Sequence, residues 1–421
     1  CIDTTAFNYD LLANTDDGSC IPVVLGCMDT LALNYDPLAN VEDGFCCGDT
    51  INIPFGTQIG MDIEGDSIDA WGSHAGMSVS FNSDGTIVAI GSPYYDQGTG
   101  KTQVYQFSNG SWNQLGYDII GYANFDHSGW SVSLSNDGNI LAIGSPWHDG
   151  NSGNTNDDRG HVRIYEWDGN SWNQIGQNID GESAHDESGG SVSLSANGNM
   201  LAVGSHKNDG NNGNVLDNRG RVRIYQYNGT SWIQLGDDID GEAAGDYSGY
   251  AVSLSSAGNI VAIGAYGNNE NGSNSGHVRI YNWDGVSWNQ LGLDIDGATS
   301  GDKSGYSVSL NNDGSIIAIG APEYDNCSLT ACQNEGHVRV FQYDGISWQQ
   351  VGQDIDGESY QDESGYSVSL SDDGNILAIG ARYNDGNGLN VGHVRVYKNI
   401  NGTWNQFGND IDGEEAEDES G

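Results

Sequence analysis

The chain has 421 residues, 63 of them Gly and only 6 Pro, and sets 59 acidic against 13 basic side chains for a formal charge of −46. Such a surface repels nucleic acid and anionic membrane, which need clustered Lys and Arg, and suits divalent cations, cationic partners or a salty medium. No run approaches the ~18 apolar residues of a membrane span, so membrane insertion is not expected. Salt adaptation and specific cation binding both account for the charge.

Residues 1–47 hold a short repeat. CIDTTAFNYDLLANTDDGSC (Cys1 to Cys20) is matched by CMDTLALNYDPLANVEDGFC (Cys27 to Cys46). A unit this short cannot bury a core and needs a staple. The matched spacing reads as disulfides Cys1–Cys20 and Cys27–Cys46, and hence an oxidising compartment; zinc is the rival, though its usual close Cys pairs are missing. Cys327 and Cys332 are read as closing a loop, which leaves Cys47 over. The second unit also offers oxygen ligands at Asp29, Asp36, Asn40, Glu42 and Asp43. Ca²⁺ takes six to eight such oxygens, and Asx-turns around a disulfide explain them equally. These units resemble the Cys-paired, Asp-rich repeats of secreted marine Bacteroidetes proteins and, more loosely, thrombospondin type 3 calcium repeats.

Residues 48–57 read as a linker. From Thr57 the text TQIGMDIEG matches SWNQIGQNIDG at 171–181, so the fourth strand of a longer repeat precedes the first complete copy. Six complete copies follow, marked by Trp112, Trp172, Trp232, Trp288, Trp348 and Trp404 at spacings of 60, 60, 56, 60 and 56. Each contains an alternating strand (SVSLS at 191–195), a turn at Asn197-Gly198, an apolar run (NMLAVGS), a third strand (RVRIYQY) and, after Asn228-Gly229, a fourth (SWIQLG). Alternation bounded by Asn-Gly or Asp-Gly is a hairpin signal, and no stretch has a sustained helical period. Four antiparallel strands repeated at this period predict an all-β propeller over 58–421. The chain starts inside one repeat and stops inside another. This points to a fragment of something longer, with a seventh blade split across the ends; a six-bladed ring is the alternative.

With the blade in hand, GYSVSLSDDGNILAIGA (365–381) followed by GHVRVY, and GWSVSLSNDGNILAIGSP (129–146) followed by GHVRIY, resemble the FG-GAP repeat of integrin α-subunit propellers. That resemblance implies a binding or adhesion module outside the cell. It does not extend to the family's calcium hairpin, because tight turns such as Asp137-Gly138 replace the Asp-x-Asp-x-Asp-Gly text.

Asp126, Ser128 and His161 have the composition of a catalytic triad. The set recurs as Asp302, Ser304 and His337, and as Asp362, Ser364 and His393. Catalysis would need it once, so it reads as an architectural network, with Trp172 or Trp348 as a fourth member. The His position holds Lys101 in the first copy and Arg221 in the third, so it calls for a cation or donor rather than an imidazole. Length varies mostly between strands two and three. Those loops should share one face with the acidic connections such as DIDGESAHDESG, and binding favours variable loops on a rigid scaffold. Their Asp149, Asp157, Asp158, Asp209, Asp217 and Asp325 are candidate Ca²⁺ ligands or solvated turns. The preferred reading is a secreted or cell-surface binding module, not an enzyme, with a surface glycan or protein as partner. A filament subunit that self-associates is the second reading. A carbohydrate-active enzyme is the third, for which Trp71 and His74 of the first copy are the outliers.

Overall fold

The structure is a computed structural model that describes residues 25–26, 41–42, 58–65, 72–150, 157–210, 217–325, 334–386 and 388–421. All seven cysteines lie outside these residues, as do Asp29, Asp36, Asn40, Asp43 and Trp71. The chain divides into two units, Cys1–Thr57 and Gln58–Gly421. In the first, Leu25–Gly26 pairs parallel with Val41–Glu42.

The second unit is a propeller of six antiparallel blades. Blade 2 shows the plan: Ser131–Leu134, Ile140–Ser145, His161–Trp167 and Trp172–Gln174 pair in sequence order. A two-residue strand, Ile179–Asp180, then returns to the third strand. The fourth strand is thus broken. Gln174 faces Tyr165 and Ile179 faces Val162, so two extra residues bulge out. The bulge contains Gly176 at φ +70°, and a Cβ there would come within 2.7 Å of Trp232 in the next blade. That tryptophan donates its indole N–H to the Ile175 carbonyl (3.3 Å), and Trp172, Trp288, Trp348 and Trp404 do the same one blade back. The repeated Trp is therefore an inter-blade clasp. The turns between strands one and two extend beyond the Asn-Gly or Asp-Gly pair, running in blade 3 from Leu194 to Met200. Ser135 and Ile140 close a loop around Gly138, because the amide of Asn136 is drawn to Ala196 of the next blade.

The alternating SVSL text has a physical cause. First strands of consecutive blades lie side by side around the axis, and their serines join them. Ser193 Oγ accepts the Leu254 amide (3.0 Å), and Ser191 Oγ donates to the Gly249 carbonyl (2.8 Å). Between these seams the apolar second and third strands of neighbouring blades form shared cores, such as Ala202, Val222 and Ile224 against Val261, Ile263 and Tyr281. In blades 2 to 5 both faces of the sheet are covered, which is why the second strand is apolar throughout.

One seam differs. Val79 and Phe81 of blade 1 are 56% and 53% exposed, against 8% and 7% for Val132 and Leu134. Across from them Ile411 of blade 6 is 42% exposed, against 4% for Ile355. At the blade 1 side Ile59 accepts the Trp112 indole N–H at 3.1 Å. The segment 58–60 thus supplies the carbonyl that a preceding blade's fourth strand supplies elsewhere.

Candidate binding face

The strand two–three loops and the strand four–one connections meet on one face. In blade 2 the amides of His185, Glu187 and Ser188 bond the carbonyls of Asp157, Asp158 and Arg159, and Gly160 bridges to Ser188. The same bridge recurs in all six blades.

This geometry takes the Asp–Ser–His–Trp network apart. Asp126 Oδ2 accepts the amides of Tyr122 and Ala123, capping its own connection. Asp302 and Asp362 cap theirs in the same way. Ser128 Oγ meets Arg163 Nη2 at 3.0 Å, and the serines of the two later sets, Ser304 and Ser364, sit at 3.5 Å from Arg339 and Arg395. Trp172 and Trp348 are committed to the blade-to-blade clasp. His161 and His337 make no hydrogen bond through either ring nitrogen. The working element of HVRIY is the arginine. Buried Arg279 donates to the Asp240 carbonyl of the preceding blade (2.7 Å) and lies 3.6 Å from Glu242 of that blade. Arg163, Arg223, Arg339 and Arg395 make the same reach to a carbonyl.

The loop acids act first on their own loops. Asp149 Oδ1 accepts the Asp157 amide (2.8 Å), Asp209 the Asn218 amide (2.9 Å) and Asp325 the Asn334 amide (2.7 Å). Asp157 and Asp217 pair with Arg159 and Arg219 at 2.8 and 2.7 Å. Asp158 is held above the ordinary carboxylate range by burial and by the charge of Asp149, with Glu187 adding to it and His185 opposing. Negative charge is therefore crowded at Asp149, Asp158 and Glu187, and Glu187 is itself tied to Lys207 and His206.

Nearer the axis lies a feature that pattern reading overlooked. The residue just before the first, innermost strand is Trp130, Tyr250, Tyr306 or Tyr366 in four of the blades. Tyr94, Trp147 and Tyr266 follow second strands. Their rings form a belt on the same face. Tyr94 is 4.7 Å from His127, His127 is 4.2 Å from Trp147, and Trp147 is 5.1 Å from Trp130. Further round, Tyr266 is 4.6 Å from Tyr250, Tyr250 is 4.7 Å from Tyr306, and Tyr306 is 5.1 Å from Tyr366. Arg382 caps Tyr366 at 3.9 Å. The His74 ring lies 4.6 Å from Tyr94, tilted by 45°, so this outlier of the first copy belongs to the belt. Gly190 takes the ring position in blade 3, where Glu187, His206 and Lys207 form a charged notch. Burial pushes the Tyr250 hydroxyl up to about 12 and holds those of Tyr266 and Tyr306 above their usual value. It also pulls His127 down to about 4. The belt is thus neutral and aromatic near pH 7, broken by a few charges. Flat apolar rings beside sparse polar groups are what small-molecule and saccharide sites are made of. The sequence signal was the aromatic after Gly in Gly129-Trp130, Gly249-Tyr250, Gly305-Tyr306 and Gly365-Tyr366.

The FG-GAP repeat family matches residues 239–281, so the chain carries an FG-GAP repeat within its propeller. No curated protein sequence matches the chain. Among solved structures, a candidate 6-phosphogluconolactonase from Bacteroides uniformis is similar at TM-score 0.55 and 13% identity, covering 80% of this chain and 86% of its own. A protein from Lactobacillus plantarum is similar at TM-score 0.53 and 11% identity, with 80% and 85% covered. At these identities the likeness shows the propeller fold alone. No described helix is long and apolar enough to cross a membrane.

Proposed function

On the premise that this is a propeller built on FG-GAP-type repeats, we propose that it is an extracellular, surface-exposed binding or adhesion module. Its ligand, a surface glycan or glycosylated protein, is held at the aromatic belt on the loop-rich face. The observation that carries this reading is the run of rings at the axis mouth, from Tyr94 through Trp130 and Trp147 and again from Tyr250 to Tyr366. A fold needs apolar residues inside its blades and does not need a belt of half-buried aromatic rings at the mouth. Binding fits this belt because its rings come from many blades and together make an apolar surface. The test is whether the chain binds immobilised glycans and loses that binding when belt rings are removed.

Ca²⁺ enters the same reading as a stabiliser of the acidic rim. Asp149, Asp158 and Glu187 crowd charge that an oxygen-seeking cation would relieve. Adding Ca²⁺ at constant ionic strength is expected to raise the melting temperature. By linkage the gain is about 2–3 kcal/mol at a hundredfold excess over the dissociation constant. An unchanged melting curve would leave these acids as loop caps alone.

A further inference from the structure

At the start of the third strand the six blades carry Lys101, His161, Arg221, His277, His337 and His393, none more than 3% exposed. The blade-to-blade comparison is informative. Arg221 sits among three carboxylates: Glu182 of the preceding blade bonds Nη1, Asp238 lies 2.8 Å from Nη1, and Asp240 lies 2.6 Å from Nε. A fixed cation therefore fills this seam. In the next blade His277 takes the same position, and the acids remain. Glu242 and Asp294 stand where Glu182 and Asp238 stood, and the neighbouring loop adds Glu270. Ligand atoms of Glu242, Glu270, His277 and Asp294 all lie within 4.8 Å of one another.

The histidine does not replace the guanidinium. It is fully buried, neither ring nitrogen makes a hydrogen bond, and its nearest acid, Asp294, is 3.6 Å from Nδ1. Burial and the charge of Arg279 favour its neutral form, against the pull of Asp294. Arg279 supplies one positive charge beside Glu242, yet burial, with Asp294 and Glu270, still holds that carboxyl above its usual range. A buried imidazole with no hydrogen bond at either ring nitrogen, gathered with three carboxylates within 4.8 Å, has the composition of a metal-ligand set.

We propose that the seam between blades 3 and 4 binds a divalent first-row transition ion of the Zn²⁺ class through His277, Glu242, Glu270 and Asp294, and that Arg221 fills the corresponding seam as a built-in substitute for that ion. The imidazole nitrogen separates this ion from Ca²⁺, which takes oxygens. The ion ties the end of one blade to the third strand of the next, the task Arg221 performs one seam earlier. The other histidine seams offer thinner sets. His337 has Asp354 and Asp356, with Ala298 where the preceding blade's Glu would be, and His393 has Glu358 and Asp410.

The test uses the full chain, thiol-alkylated, stripped with chelator and re-equilibrated with Zn²⁺ in the presence of excess Ca²⁺ to saturate all-oxygen sites. Bound zinc is then counted by mass spectrometry, and Co²⁺ serves as a visible reporter of nitrogen–oxygen ligation. The wild type should retain zinc. His277→Arg should lose one equivalent while its metal-free melting temperature stays level or rises, because the guanidinium neutralises the acids. Arg221→His should gain one equivalent. No uptake by the wild type, or undiminished zinc in His277→Arg, overturns the proposal. A folded Arg221→His chain that gains no ion overturns the equivalence of guanidinium and metal.

Discussion

Arg279→Ala is expected to lower the unfolding free energy by about 3 kcal/mol. The ion pair with Glu242 contributes little of this, since Glu242 is 42% exposed on its side chain and such pairs contribute under about 1 kcal/mol. The larger part is the charge-assisted bond from Arg279 Nη2 to the Asp240 carbonyl, about 1.5–3 kcal/mol for a bond to a charged group. Contact of the guanidinium with the Tyr281 ring adds about 0.5–1 kcal/mol. Arg279→Lys should recover only part, because an ammonium cannot span carbonyl, carboxylate and ring with one planar fork. Denaturant midpoints for the two variants measure both effects. A loss below about 0.5 kcal/mol for the alanine would show that the arginine is not an inter-blade tie.

Gly204→Ala should be at least as damaging, for a steric reason. A Cβ at Gly204 would lie 2.0 Å from the Gly249 carbonyl oxygen and 2.3 Å from Ser191 Oγ. Both belong to strand-bound backbone or to a serine already bonded to that carbonyl, so neither can yield without parting two blades. Overpacking in a rigid core costs about 1–3 kcal/mol, and a backbone-on-backbone clash belongs at the top of that range or above it. Gly229 is the control. Its φ is +95° but nothing lies within 4 Å of an added Cβ, so Gly229→Ala meets only left-handed strain, about 1–2 kcal/mol. Thermal melts that ranked the two in the opposite order would show that conformation, not close blade approach, requires the glycine near the end of the second strand.

The blade was legible because its causes are local and repeated. The alternating first strand, Ser-Val-Ser-Leu in four copies and a close variant in the other two, the Gly that closes each tight turn and the Trp marker each impose one backbone geometry in every blade. What stayed hidden depends on which residues of different blades meet. Trp172 looks like a partner for the nearby His161, yet its indole reaches back to Leu115 of the previous blade. Asp126 and Ser128 stand two apart in a triad-like text, but one caps its own loop and the other meets Arg163. The aromatic belt was missed for the same reason. Trp130 and Tyr306 are single letters beside a glycine, and only the circular arrangement of innermost strands gathers them on one rim. The Lys, Arg and His substitutions at one position did carry a readable message, that a cation belongs there. The structure adds that burial of these histidines favours their neutral form.

Belt substitution combined with a far-face control tests the central claim most directly. The saccharide recovered from a glycan screen would be titrated against the wild type, the Tyr306→Ala/Tyr366→Ala double variant, and Ile346→Ala, whose side chain is 83% exposed in the turn between strands three and four on the opposite face. The belt-site account predicts that the double variant, still folded by melting curve, weakens affinity by ~30-fold or more, the scale of a hot-spot aromatic, while Ile346→Ala binds as the wild type does. Equal affinity of the double variant and the wild type would contradict it and move the ligand away from the axis mouth.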